Sequence, residues 1–182
     1  MDEQPIQPEE FRSLVDYAYR AHQEHATKIS PTTGKIATMR QRGKVPFLIH
    51  PLWCALTLLH DTRVPWEDRR IGFQALLFHD VLEDTTLPLP DGLEPRAVAL
   101  IGEMTCDTWE EEIAIENKEP LFYLVKLIDK LSTTYEEGVR PDPVRRAQWL
   151  ELNRQLLTRV REYYPNSRTA VMAAAIIADT EW

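Results

Sequence analysis

Ile71-Gly72-Phe73-Gln74-Ala75-Leu76-Leu77 leads directly into Phe78-His79-Asp80-Val81-Leu82-Glu83-Asp84-Thr85. A largely apolar run, expected to be buried, thus ends in four ionisable side chains. Burying such groups unpaired costs several kcal/mol each, so they are either exposed at a helix end or gathered around a cation. On a helix, adjacent His79 and Asp80 point about 100° apart, yet both reach one ion near the helix terminus. If the helix continues, Glu83 lies one turn above His79 and Asp84 one turn above Asp80. That layout places two candidate ligands in one layer and two further carboxylates in the next. A plain charged helix terminus accounts for this stretch equally well, so the rest of the chain decides.

The chain has 182 residues, enough for one domain that buries about 70% of its unfolded surface. With 43% hydrophobic and 27% charged residues it reads as a soluble globular protein. A net charge of -8 argues against a general nucleic-acid or membrane-surface binder. A local basic cluster or a metal can still attract a small anion. Cys54 and Cys106 fall in apolar helical patterns and read as core residues of a reducing, cytoplasmic protein. Met1-Asp2-Glu3-Gln4-Pro5 does not resemble a secretory signal, and the apolar run from Ala170 to Ala178 is too short to span a membrane.

Residues 1–8 form a polar lead, and residues 9–182 are expected to form one helical domain. Pro8-Glu9-Glu10 opens a first helix, predicted to run to about Lys28. Residues 29–46 lack periodicity and read as a long loop; Lys35, Arg40, Arg42 and Lys44 make it the one basic segment of an acidic chain. Further helices are predicted from His50 to about His60 and from Val64-Pro65-Trp66 to near Leu82. Others follow over Pro95–Thr105, a short piece within Thr108–Asn117, and Leu121–Tyr135. Residues 140–182 hold the C-terminal helices, Val144–Tyr164 and Ser167–Thr180. No segment shows β alternation, and the fold class is all-α.

Asp129 interrupts the apolar run Leu124-Val125-Lys126-Leu127-Ile128, and a carboxylate there needs a strong partner. Together with His50, His79 and Asp80 it supplies two imidazoles and two carboxylates. That set suits a divalent ion such as Mn²⁺, Fe²⁺ or Zn²⁺, with positions left for water and substrate. Such an ion lowers the pKa of its water towards ~7. Glu83 and Asp84 then act on protons, one at the water and the other at the leaving group. The loop cations and Lys126 are candidates for phosphate oxygens. Lys126 and Lys130 flank Asp129 at different helical angles, so at most one is expected to face the site. His22 reads as a structural or ligand-supporting histidine.

His50, His79-Asp80 and Asp129 in this order resemble the metal quartet of the HD superfamily of phosphohydrolases. More narrowly, four segments resemble the RelA/SpoT-type hydrolase domain and the stand-alone small alarmone hydrolases. They are Ala21-His22, Pro46-Phe47-Leu48-Ile49-His50-Pro51, Ala75 to Thr85, and Val125-Lys126-Leu127-Ile128-Asp129-Lys130-Leu131. The likeness spans about residues 10–135. It implies a single-domain HD-type helical bundle and a Mn²⁺-dependent 3′-pyrophosphohydrolase that converts guanosine tetra- and pentaphosphate to the 5′ nucleotide and pyrophosphate. The implied ligands are His50, His79, Asp80 and Asp129, and the implied catalytic pair is Glu83 and Asp84.

The chain departs from that family around the nucleotide. An Arg-Lys pair usually follows the helix-one histidine; counting from His22 reaches Thr27-Lys28, whereas counting back from Pro46 reaches Arg40 or Arg42. Phe47 stands where tyrosine is common. Lys130-Leu131-Ser132-Thr133 replaces Arg-Leu-His-Asn, and Tyr135-Glu136 replaces a following Arg-Thr, of which the asparagine and threonine help hold the nucleotide. Lys28, Arg40, Arg42, Lys44 and Lys126 are therefore the candidate substrate contacts. The alternatives are hydrolysis of another (deoxy)nucleotide, or a nucleotide-binding HD domain without turnover.

Overall fold

Two helices that are apolar on nearly every face occupy the centre of the computed structural model. It describes residues 5–29, 34, 36, 38–40, 45–106, 108–137 and 143–180, with backbone only at 40, 134–137 and 180. Helix α3 (Trp66–Phe78) starts behind Pro65 with Glu67 and Asp68 in its positive first turn. Every residue from Ile71 to Phe78 is buried, so α3 has no solvent stripe along this part. Its one polar member there, Gln74, accepts a hydrogen bond from the Glu94 amide at 2.9 Å. Helix α7 (Pro120–Glu137) is likewise buried from Leu121 to Asp129.

Helix α2 (Ile49–Leu59) packs against both. Gly72 marks the crossing: a Cβ there would fall on Leu58 of α2 and lie 3.2 Å from Val125 of α7. His50 lies eight residues before Leu58, His79 seven after Gly72, and Asp129 four after Val125. At 1.5 Å per residue the three sit roughly 6–12 Å beyond the crossing, all towards one end of the bundle. The central helices are thus what bring these side chains to one place.

Helix α5 (Pro95–Met104) covers α3 with Ala97, Leu100, Ile101 and Met104, while α8 (Pro143–Tyr163) and α9 (Arg168–Thr180) cover α7. Helix α1 (Pro8–Glu24) closes the other side, stacking Phe11 on Phe73 and setting Tyr17 edge-on to Phe78. Ile6, ahead of α1, also packs on the core. The fold class is all-α, and no helix among the described residues is long and apolar enough to cross a membrane.

Three boundaries differ from those read in the sequence. Helix α1 ends at Glu24, not near Lys28, because residues 25–28 leave the helix and dock on residues 84–86. The Thr27 amide donates to the Asp84 carbonyl at 2.7 Å and the Thr86 amide to the His25 carbonyl at 2.9 Å. The helix expected to reach Leu82 stops at Phe78 and restarts as α4 (Val81–Asp84). Between them Asp80 adopts φ −86°, ψ −6°, in the sparsely allowed bridge region. The 29–46 loop contains a small antiparallel ribbon, β1 (Met39–Arg40) on β2 (Val45–Pro46), plus a bridge between Ile29 and Ile36. Strands of two residues are too short to show an alternating pattern.

Asp61, just past α2, secures the far end of the bundle. Its buried carboxylate accepts from Ser167 Oγ at 2.6 Å and from the Thr169 and Arg168 amides at 2.9 and 3.1 Å. It therefore caps α9 from more than a hundred residues away, satisfying amides that a helix start leaves open. Burial disfavours the charged form, but these donors, Ser167 first, more than offset it and hold the pKa below 3.8. A lowered folded-state pKa stabilises above the unfolded value and is lost as pH falls through the folded one. Asp61→Asn is expected to cost about 1–3 kcal/mol at neutral pH. It should also remove part of the acid-induced loss of stability below about pH 4, read from urea midpoints at several pH values.

Candidate metal centre

His50 enters from the first turn of α2, His79 and Asp80 from the break between α3 and α4, and Asp129 from the middle of α7. His50 Nε2 and His79 Nε2 lie 3.2 Å apart. Asp129 Oδ1 is 3.1 Å from the first and 3.4 Å from the second. Ligand atoms of His50, His79 and Asp129 all fall within 4.8 Å of one another, and all three residues are buried. Asp80 completes the group from its more open side, with Oδ1 3.2 Å from His79 Nε2 and Oδ2 3.8 Å from His50 Nε2.

The outer ring nitrogens explain which atoms face inward. His79 Nδ1 lies 2.7 Å from the Leu76 carbonyl, which can only accept, so Nδ1 carries a proton and Nε2 offers its lone pair. His50 Nδ1 lies 2.8 Å from Ser132 Oγ, which permits the same tautomer. With His50 in that tautomer, two imidazole lone pairs converge with two carboxylates. Such a cluster requires a proton or a cation. The electrostatics agree: burial opposes charging His79, but Asp80 and Asp129 overcome it and raise its pKa to about 9. Asp129 is held well below the usual carboxylate range; burial works against this, while Lys130 and His79 dominate. Nitrogen and oxygen donors in this mixture fit a borderline or hard divalent ion.

Glu83 and Asp84 lie beside this group. Asp84 is buried and ion-paired with Lys28, 2.9 Å from Oδ1 to Nζ. Its pKa is raised, first by burial and then by Asp80, with Lys28 opposing. Glu83 stands at the solvent-accessible rim, but its carboxylate is drawn against the chain, accepting from the Cys106 amide at 2.7 Å. That enclosure raises its pKa, the Cys106 amide partly reverses the effect, and Asp80 and Asp84 add to it. Raised carboxyl pKa values suit proton transfer near neutral pH.

The structure treats the other candidates unequally. Lys28 faces Asp84 from the segment docked on α4. Arg42, Lys44 and Lys35 lie outside the described residues, as does the side chain of Arg40. Lys126 is buried against Glu112 of α6 (Trp109–Glu112), 2.8 Å away. It is Lys130 that reaches Asp129, at 2.8 Å from Oδ2. His22 is buried and stacks on Phe47 with ring centroids 4.6 Å apart.

Two contributors had no assigned part in the sequence reading. Ser132 orients His50, and Glu112 neutralises Lys126 and Lys130 together. The i, i+4 pairing of two lysines on a buried helix was the available signal for an unseen anion. Nothing distinguished Glu112 within Glu110-Glu111-Glu112. Ser132→Ala is expected to weaken divalent-metal affinity by roughly tenfold or somewhat more, because the His50 ring loses the bond that fixes it. Calorimetric titration with Mn²⁺ checks this.

No protein-family model matches the chain, and no curated protein matches it in sequence. Among solved structures it superposes on a metazoan ortholog of SpoT, described as hydrolysing ppGpp and acting in starvation responses. The TM-score is 0.67 over 97% of this chain and 98% of that one, at 21% identity. The chain shares its fold with that protein. In this SpoT-like fold, Ser132 and Thr133 occupy the stretch after Asp129 where the sequence departs from the resembled pattern. Both hydroxyls bond within the protein, Ser132 to His50 and Thr133 to the Asp129 carbonyl at 3.2 Å.

Proposed function

We propose that this chain is a metal-dependent phosphohydrolase that removes pyrophosphate from the 3′ position of guanosine tetraphosphate. The convergence of His50, His79 and Asp129 on one buried point, with Asp80 beside them, carries the proposal. Their resemblance to the HD quartet and the shared fold with a protein described as hydrolysing ppGpp support it. His50, His79, Asp80 and Asp129 would hold the ion, Mn²⁺ first and Fe²⁺ or Zn²⁺ as alternatives. When bound, the ion supplies Lewis acidity towards phosphate oxygens and makes a water easier to deprotonate.

The protein's own groups do the rest. Water oxygen adds to the phosphorus on the 3′ oxygen, and the bond between that phosphorus and the 3′ oxygen breaks. One water proton leaves to a carboxylate, and the departing 3′ oxygen gains one. Asp84, beside the Lys28 ammonium, would accept the water proton. Glu83, at the accessible rim, would donate to the leaving oxygen. Lys28, about half exposed, also offers positive charge to the phosphates.

A second reading, another nucleotide as substrate, is favoured by Ser132 and Thr133, whose hydroxyls turn inward instead of towards a ligand. Incubation of the chain with Mn²⁺ and guanosine tetraphosphate, beside a panel of ordinary nucleotides, separates the two. Release of pyrophosphate and GDP is the expected result. Cleavage confined to other nucleotides would replace the alarmone by the second reading, and no cleavage with metal bound would leave a binding domain.

A further inference from the structure

Glu112 is remote in sequence from every segment that resembles the metal quartet, yet it is one link from Asp129. Its Oε1 forms ion pairs with Lys130 Nζ at 2.7 Å and Lys126 Nζ at 2.8 Å. Lys130 Nζ continues to Asp129 Oδ2 at 2.8 Å. That contact takes the oxygen that does not face the imidazoles, whereas Oδ1 is the one that approaches His50 and His79. A carboxylate on a flexible χ2 could present either oxygen or rotate out of line. The Lys130 ammonium removes that freedom.

Lys130 is itself confined. Its side chain is 12% exposed and its ammonium lies 5.7 Å from the Trp149 ring centre. With little water to screen it, the charge acts strongly on its neighbours. Two ammonium groups, on Lys126 and Lys130, sit one helical turn apart on α7, and without an anion they would repel. Glu112 supplies that anion from α6, whose start is fixed by a capping box between Thr108 and Glu111. The same stretch of chain approaches the site a second time, where the Cys106 amide holds Glu83.

We infer that Glu112 is a positioning residue for the metal centre, acting through Lys130 to hold Asp129 with Oδ1 turned to the ion. This rests on the reading of His50, His79, Asp80 and Asp129 as the metal site. Glu112 touches neither ion nor substrate; its effect passes through the Glu112–Lys130–Asp129 chain of contacts.

The test is titration of the metal-free 182-residue chain with Mn²⁺, in wild type, Glu112→Gln, Lys130→Met and the double variant, with unfolding of each metal-free protein measured alongside. Glu112→Gln and Lys130→Met should each weaken Mn²⁺ binding by roughly 10–100-fold. The double variant should be little weaker than the worse single, because both act through one chain of contacts. Lys130→Arg, which keeps the charge and can reach both carboxylates, should restore most of the affinity. If Glu112→Gln lowers the melting temperature but leaves Mn²⁺ affinity at the wild-type value, Glu112 is structural only and the inference is overturned. Should that variant not fold, Glu112→Asp replaces it: the anion is kept but drawn back by one methylene, and affinity should still fall. Wild type that takes up no Mn²⁺ would instead remove the metal reading, and this inference with it.

Discussion

Asp80→Ala is expected to abolish metal uptake and turnover while leaving the helical bundle assembled. Asp80 sits at the break between α3 and α4, on the open side of the site, and its side chain is the least enclosed of the four candidate ligands. It is not a member of the hydrophobic core. Removing it also removes the carboxylate that stands 3.2 Å from His79. The loss of turnover should exceed the roughly 10–100-fold that follows when only an orienting partner of a ligand is removed. Stability gives an independent readout. A ligand at a hundred times its Kd adds about 2.7 kcal/mol to the folded state, so Mn²⁺ should raise the melting temperature of wild type and not of Asp80→Ala. An unchanged far-ultraviolet circular dichroism spectrum would show that the fold survives. Full activity in this variant would end the case for Asp80 as a ligand.

The second large effect separates metal holding from proton transfer. Glu83→Gln keeps the shape of the side chain and an oxygen to accept from the Cys106 amide, but it cannot exchange a proton at neutral pH. Metal affinity should stay at the wild-type value while kcat falls by roughly 10²–10⁴-fold, the usual contribution of a placed general acid or base. Unchanged kcat would show that Glu83 takes no part in the chemistry. A fall in metal affinity instead would place Glu83 among the groups that hold the ion.

Much of this could be read from residue order because the central helices advertise themselves. Ile71–Phe78 and Leu121–Ile128 are apolar apart from Gln74 and Lys126, so His79 and Asp129 stand out as polar groups that burial must account for. Proline at helix starts marked α1, α2 and α5 to within about a residue. The features that escaped notice are those set by contacts distant in the chain. The end of α1 is decided by pairing of residues 25–28 with residues 84–86, not by its own periodicity. The break after Phe78 depends on the Asp80 backbone, which no propensity marks. Asp61 looks like an ordinary turn residue until α9 folds back onto it. Glu112 has two equivalent-looking neighbours in sequence, and only the packing of α6 beside α7 selects it. Local patterns locate helices and expose the unusual buried residues; the partners that satisfy those residues come from wherever the fold returns the chain.

The most direct test of the central idea is a count of metal ions. Chelator-stripped wild-type chain is titrated with Mn²⁺ at neutral pH, and free Mn²⁺ is followed by its electron paramagnetic resonance signal. The expected result is one tightly held ion per chain, absent in Asp80→Ala. A linear rise of free Mn²⁺ from the first addition, identical in both proteins, would contradict a metal centre built from His50, His79, Asp80 and Asp129.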